Sequence, residues 1–240
     1  MFVTGGGSGI GASIVERFCA QGSKVVFVDI AVECSRELVA GIEAKGDPKP
    51  LFLECDLRDI GALRAAIERA AANGPITVLV NNAAHDERHR FDTVTPEYWD
   101  DRMAVNLRHQ FFAAQAVHPM MRAAGGGSII NMGSVSWMIG QGGMPGYTAA
   151  KSAVMGLTRG LARDFGPDDI RVNSIAPGWI MTRRQIDLWL TPEGEEELMR
   201  RQCLKRKLYP DDIARVVLFV AADDSNAMTN QTYIVDGGWV

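Results

Sequence analysis

Residues 2–30 read FVTGGGSGIGASIVERFCAQGSKVVFVDI. The apolar pair Phe2-Val3 runs into a glycine-rich segment, Gly5 to Gly11. Apolar residues then recur at helical spacing, at Ile10, Ile14 and Phe18. Gly22 stands just past that helix. Residues 24–29 follow as a buried strand that ends in an acid, Asp29. A glycine loop between strand and helix lets backbone amides and a helix N-terminus approach a pyrophosphate. An acid at the end of the next strand can accept hydrogen bonds from an adenosine ribose, and it repels a 2′-phosphate, so the pattern predicts NAD rather than NADP. The glycines Gly5, Gly9 and Gly11 follow Gly-x-x-x-Gly-x-Gly instead of the usual G-x-G-x-x-G. A merely flexible loop is the plain alternative, and the ordered strand, helix, strand and acid around it argue against that. No Gly-Lys-Ser/Thr closes the run, so it is not a nucleoside-triphosphate loop.

Working outward, strand and helix patterns alternate to the end of the chain. Strands are expected near 2–4, 24–29, 49–54, 76–80, 128–132, 171–175 and 232–235. Helices are expected near 10–21, 31–45, 59–73, 97–123, 147–165 and 210–222. Gly46-Asp47-Pro48, Gly74-Pro75, Gly125–Gly127 and Gly166-Pro167 punctuate them. The expected fold is α/β: a single doubly wound parallel sheet of the Rossmann type, about seven strands, with helices on both faces. One domain spans 1–240, with a small helical lid near 180–205. The first strand looks short for a central one, which a start upstream of Met1 would also explain. Ligand chemistry in such a sheet belongs beyond the carboxyl ends of its strands. Asp29, Asp56, Asn81, Ser134 and Pro177 all fall there.

A second signature lies in PGYTAAKSA. Tyr147 and Lys151 are four apart, one helical turn on one face. A phenol titrates near 10, and a neighbouring cation favours the phenolate. The pair therefore suggests a general base acting on an alcohol, with the Ser134 hydroxyl thirteen residues upstream in INMGSVSW. Taken alone, a Tyr and a Lys at this spacing also fit an ordinary surface helix. Ser136 is a competing hydroxyl, and spacing to Tyr147 favours Ser134.

TGGGSGIG at 4–11, NNAA at 81–84, Asn106 in VNL, Ser134, the Y-x-x-x-K of 147–151 and Pro177-Gly178 occur in one order. In that order and spacing the chain resembles the short-chain dehydrogenase/reductase family over essentially its whole length. The resemblance implies a catalytic tetrad of Asn106, Ser134, Tyr147 and Lys151. Asn106 would interrupt its helix and hold a proton-relaying water; Lys151 would lower the phenol and contact the nicotinamide ribose. It also implies NAD contacts from Gly5, Ser8, Gly9, Ile10 and Gly11. Asp29 would take the ribose and Asp56 the adenine, beside Leu57. Asn81, Asn82 and Ala83 would lie under the adenosine. Pro177, Gly178, Ile180 and Thr182 would border the nicotinamide, with Thr182 at the carboxamide. The family usually has glycine where this chain has Ala84.

With 25 basic and 29 acidic residues the net charge is −4. No basic stripe interleaves with aromatics, so nucleic acid is not an expected partner. Cys19, Cys34, Cys55 and Cys203 form no CxxC, and no metal is expected. No leader and no membrane-length apolar run is seen, so a cytoplasmic protein is expected, and the resemblance implies a homotetramer.

Substrate class is read from HDERHR at 85–90, Trp137 and Trp179. Aromatic faces beside charged groups suit a sugar, whereas a plain solvated loop would also be polar. DERH, SVSW, VNLRH, GPDDIRV, TPEGE and QCLK further resemble bacterial NAD-dependent aldose 1-dehydrogenases of the same family. These imply oxidation of an anomeric hydroxyl, as in D-xylose or L-arabinose, to the lactone. Other aldoses (L-fucose, L-rhamnose, D-galactose), or a 3-oxoacyl or small ketone, are the alternatives. A catalytically silent NAD-binding scaffold is a third, which the intact Tyr147–Lys151 pair opposes. The candidate sugar contacts are Arg88, His89, Ser134, Trp137, Gln141, Met144, Tyr147 and Trp179.

Overall fold

The computed structural model describes residues 1–240. Its strands are β1 (Phe2–Thr4), β2 (Val26–Asp29), β3 (Leu51–Glu54), β4 (Val78–Asn81), β5 (Gly127–Met132), β6 (Ile170–Pro177) and β7 (Thr232–Val235). They form one sheet in the order β3-β2-β1-β4-β5-β6-β7, with every pairing parallel. The helices are α1 (Gly9–Ala20), α2 (Val32–Ala44), α3 (Ile60–Ala71), α4 (Pro96–Met103), α5 (His109–Ala123), α6 (Pro145–Phe165), α7 (Arg183–Leu188), α8 (Pro192–Arg201) and α9 (Pro210–Ala221).

Side chains alternate across a pleated strand, and the register turns that alternation into two cores. Phe2 pairs with Leu79, Leu79 with Ile129 and Ile129 with Val172. All four face Leu63 and Ile67 of α3 and Val117 and Met121 of α5. The next residues along, Val3, Val80 and Ile130, face the opposite way onto Ile14 and Phe18 of α1 and Ile213 and Val217 of α9. Two buried layers hold the sheet rigid, so its carboxyl edge can fix a site. Chain order reverses between β1 and β4, the place where an open α/β sheet leaves a crevice.

The expected elements occur close to their expected limits, with one difference of kind. The stretch 97–123 is not a single helix. A π-helical turn at Ala104–Arg108 separates α4 from α5 and lets the helix carry an extra residue there. Periodicity smears over one extra residue, so pattern alone reads through it. The short first strand is three residues, all fully buried.

Within residues 180–205 the chain forms a pair of short helices, α7 and α8. Thr182 accepts from Gln185 N (3.2 Å) to start α7, and Thr191 accepts from Gly194 N (3.1 Å), with Pro192 following, to start α8. Glu193 and Glu195 lie in the first turn of α8, and Arg200 and Arg201 in its last turn, in the sense the helix dipole favours. No helix is long and apolar enough to cross a membrane.

Candidate active site

A cavity of about 450 Å³ opens beyond the carboxyl ends of β4, β5 and β6, beneath α7 and α8. The glycine loop borders it through close packing that admits no side chain. Gly5 has φ +66°, and a Cβ there would meet Ala83 Cα at 2.7 Å. At Gly11 a Cβ would lie 1.9 Å from the Gly5 carbonyl oxygen. Asn82 locks the loop from the β4 side, donating through Nδ2 to the carbonyls of Thr4 (3.1 Å) and Gly5 (2.8 Å). Helix α1 begins at Ser8 with no side-chain cap, whereas α3, α4 and α8 are capped by Asp59, Thr95 and Thr191. Its first-turn amides are thus left for an anion, and this cradle fits a dinucleotide pyrophosphate. Asp29 accepts from Gly7 N (2.8 Å) and Ala31 N (2.9 Å), which pins its carboxylate at the β2 end. Arg58 binds Asp56 (2.6 Å) and holds its carboxyl below the usual range.

Ser134, Tyr147 and Lys151 line the same cavity, with Ile10, Asn82, Pro177, Gly178, Ile180 and Thr182 among the residues expected around a cofactor. Asn81 does not: it is fully buried, donating to Gln110 O (3.2 Å) and Asn131 Oδ1 (2.9 Å), so its role is structural. Ala84 lines the wall where the family has glycine. Ser134 Oγ accepts from Ser136 N at 3.1 Å, a turn that aims the Ser134 hydroxyl.

Burial sets the direction in which the phenol and the ammonium titrate. Lys151 is 2 % exposed, lies 5.7 Å from the Tyr147 ring centroid and donates to Met132 O at 2.7 Å. Burial pulls its ammonium down to about 7, against an upward pull from Asp86. Burial likewise raises the Tyr147 phenol well above its usual value, and Asp86 adds to the rise. Ser134 and Arg88 act to lower it. In the folded chain, then, burial is the largest influence on both groups. Desolvation penalises both charged forms, and helical spacing alone says nothing of that.

Asn106 sits at the centre of the π-turn, fully buried. Its carboxamide clasps the backbone of His85, accepting from His85 N (2.8 Å) and donating to His85 O (3.2 Å), while Gln110 donates to its carbonyl (3.2 Å). The polar loop 85–90 is thereby anchored to the floor of the site.

Of the expected sugar contacts, Arg88, Ser134, Gln141, Met144, Tyr147 and Trp179 line the cavity. His89 and Trp137 do not. The His89 ring accepts from Gly146 N (3.2 Å) and meets Tyr98 Oη (3.0 Å), so it is spent on holding the start of α6. Trp137 belongs to the turn after Ser134 and is not part of the cavity lining. Asp86, Gln185, Glu197, Arg201 and Trp239 line the cavity without having been singled out. Trp239 arrives because Asp236 accepts from Gly238 N (2.8 Å) and Val240 N (2.9 Å), curling the chain end inward. A tryptophan near a chain end gives no local signal of such a fate.

His109, first residue of α5, is fully buried, and its ring nitrogens make no well-formed hydrogen bond although the Ala104 and Val105 carbonyls lie near. Burial pulls it down to about 3, and nearby Lys151 adds to the fall. The Ala104 and Val105 carbonyls oppose the shift. The unfolded chain then binds a proton at this site that the native chain refuses, between the usual value near 6.5 and about 3. Stability is unaffected above that window and falls as pH drops through it, by about 1.4 kcal/mol per pH unit. Urea melts of wild type and His109→Gln from pH 7 to pH 4 should show the shallower decline in the variant. Equal slopes would count against it.

A family model described as enoyl-(acyl carrier protein) reductase matches residues 5–240. The chain is 50% identical over 239 residues to a probable galactose dehydrogenase of Rhizobium meliloti, covering 99% of this chain and 93% of that one. It is 48% identical to a D-xylose 1-dehydrogenase of Caulobacter vibrioides, over 99% of this chain and 94% of the relative. A blue fluorescent protein from a metagenomic library, solved in complex with NADPH, superposes with a TM-score of 0.90 at 36% identity, covering 100% of this chain and 96% of that one.

Proposed function

The chain belongs to the short-chain dehydrogenase/reductase family, and within it we propose that this protein oxidises the C1 hydroxyl of an aldose to the lactone, using NAD. A dehydrogenase of sugars is the coarser statement, and both 48–50% identical relatives are named for that chemistry. The observation that carries the finer reading is the lining of the cavity. Ser134, Tyr147 and Lys151 share it with Asp86, Arg88, Gln141, Trp179 and Trp239. Directed polar groups beside aromatic faces suit a polyhydroxylated ring.

In this reading Gly5–Gly11 and the α1 N-terminus hold the pyrophosphate, Asp29 the adenosine ribose, and Thr182 the carboxamide. A carboxylate at Asp29 disfavours a 2′-phosphate, which supports NAD. When bound, the nicotinamide supplies the acceptor for the hydride that leaves C1. Ser134 hydrogen-bonds the reacting oxygen and Tyr147 takes its proton. Lys151, one turn along α6, stands 5.7 Å from the phenol ring and would meet the nicotinamide ribose. Asn106 keeps the 85–90 loop over the floor.

Purified protein mixed with NAD or NADP and a panel of D-xylose, L-arabinose, D-galactose, L-fucose, L-rhamnose and D-glucose should produce reduced cofactor. It should do so with one or two sugars, and faster with NAD, followed by acid release as the lactone hydrolyses. A silent panel from protein that still binds NAD would overturn the sugar reading.

A further inference from the structure

We propose that Asp86 is the specificity carboxylate of this pocket, accepting a hydrogen bond from a ring hydroxyl other than the one oxidised. The assignment rests on the aldose reading. A sugar ring brings several hydroxyl donors into the cavity and needs acceptors there. Two carboxylates line it, Asp86 and Glu197. Glu197 already accepts three hydrogen bonds, two from Arg200 and one from Arg201, and Asp86 accepts only two. Asp86 is different. One oxygen accepts from Gln185 Nε2 at 2.6 Å and the other from Arg184 Nε at 3.3 Å, with the side chain 21% exposed. A carboxylate offers about four acceptor sites, so roughly half remain for a ligand.

The carboxylate is also held in place from two sides. Below, Asn106 clasps both backbone groups of the adjoining His85 (2.8 and 3.2 Å). Above, Gln185 is fixed through its other end, accepting from Trp179 Nε1 at 2.9 Å. Gln185 thus spends its oxygen on Trp179 and an amide hydrogen on Asp86, and serves as a brace. Arg88, the neighbouring charge, stacks 5.2 Å from the Trp189 ring and reaches Met144 Sδ at 3.7 Å. Locked groups of this kind discriminate well, because a substrate lacking the matching hydroxyl leaves the remaining acceptor sites of a fixed carboxylate unused once the substrate excludes water.

Asp86 stands near the chemistry, since its charge is felt at both Tyr147 and Lys151. At Tyr147 it opposes the phenolate, so its presence gives the base no advantage. Hydroxyl recognition gives it one. The simpler role, a latch that only holds α7 down through Gln185, predicts a different pattern of loss.

The test compares wild type, Asp86→Ala and Gln185→Ala on the best aldose from the panel and on its 2-, 3- and 4-deoxy analogues. NAD affinity, measured in parallel, confirms that each variant is folded. Asp86→Ala should raise KM for the parent sugar about ten- to hundredfold, with a much smaller change in kcat. On one deoxy analogue, wild type and Asp86→Ala should have the same KM, which identifies the hydroxyl. Gln185→Ala should lack that dependence on a single hydroxyl. An equal loss on every analogue, no loss at all, or the same pattern in Gln185→Ala would overturn the assignment while leaving an active aldose dehydrogenase. Wild-type inactivity on every aldose would overturn the sugar reading and this assignment with it.

Discussion

Tyr147→Phe should lower kcat by about 10²–10⁴, the usual worth of a positioned acid–base group, while NAD binds as in wild type. The substitution removes one oxygen from a ring at the start of α6 and leaves the ring that Lys151 approaches. Steady-state rates on the best aldose and a fluorescence titration with NAD separate the two effects. A base must be deprotonated to act, and burial holds this phenol above its usual value. Wild-type kcat/KM should therefore climb with pH from neutrality into the alkaline range. The residual rate of the Phe variant should lose that climb. If the variant kept more than about a tenth of wild-type kcat, Tyr147 would not be the base.

Gly11→Ala should be the most damaging single methyl in the chain. Its Cβ would lie 1.9 Å from the Gly5 carbonyl oxygen and 2.6 Å from Asn82 Nδ2. Both neighbours belong to the locked floor of the glycine loop, so neither can swing aside as the end of a flexible side chain would. Overpacking on this scale costs roughly 2–3 kcal/mol, about 4–12 °C in Tm for a chain of this size. Loss of NAD affinity should accompany it, since the displaced loop carries the α1 amides. Gly41→Ala is the contrast. Gly41 lies inside α2, exposed, with nothing within 4 Å of an added Cβ. There alanine should stabilise by about 0.5–1 kcal/mol through helix propensity. Melting curves of the two variants moving in the same direction would refute this packing account.

Some of this was legible in the amino-acid order because the physics behind it is local. The run from Phe2 to Asp29 announces strand, loop, helix, strand and acid through residue spacing, and the alternation of patterns to Val235 predicts a parallel sheet. The spacing of Tyr147 and Lys151 likewise puts phenol and ammonium on one helical face, and Thr191-Pro192 marks the start of a lid helix.

Other features depend on which distant segments meet, and no local pattern encodes that. Asp86 and Gln185 are 99 residues apart and touch only because the lid folds back over the β4 loop. His89 looked like a sugar ligand within a polar run, yet tertiary packing spends its ring on Gly146 and Tyr98. Trp239 enters the cavity through the Asp236 hook. The sequence by itself determined the fold, since periodicity and backbone freedom are properties of neighbouring residues, and its motifs, through their resemblance to a family, pointed to the glycine loop and to Ser134, Tyr147 and Lys151 as candidates. Only the tertiary structure decided the direction in which Tyr147 and Lys151 titrate and which polar groups remain free for a substrate. Burial and hydrogen-bond saturation are set by what the whole chain packs around each side chain.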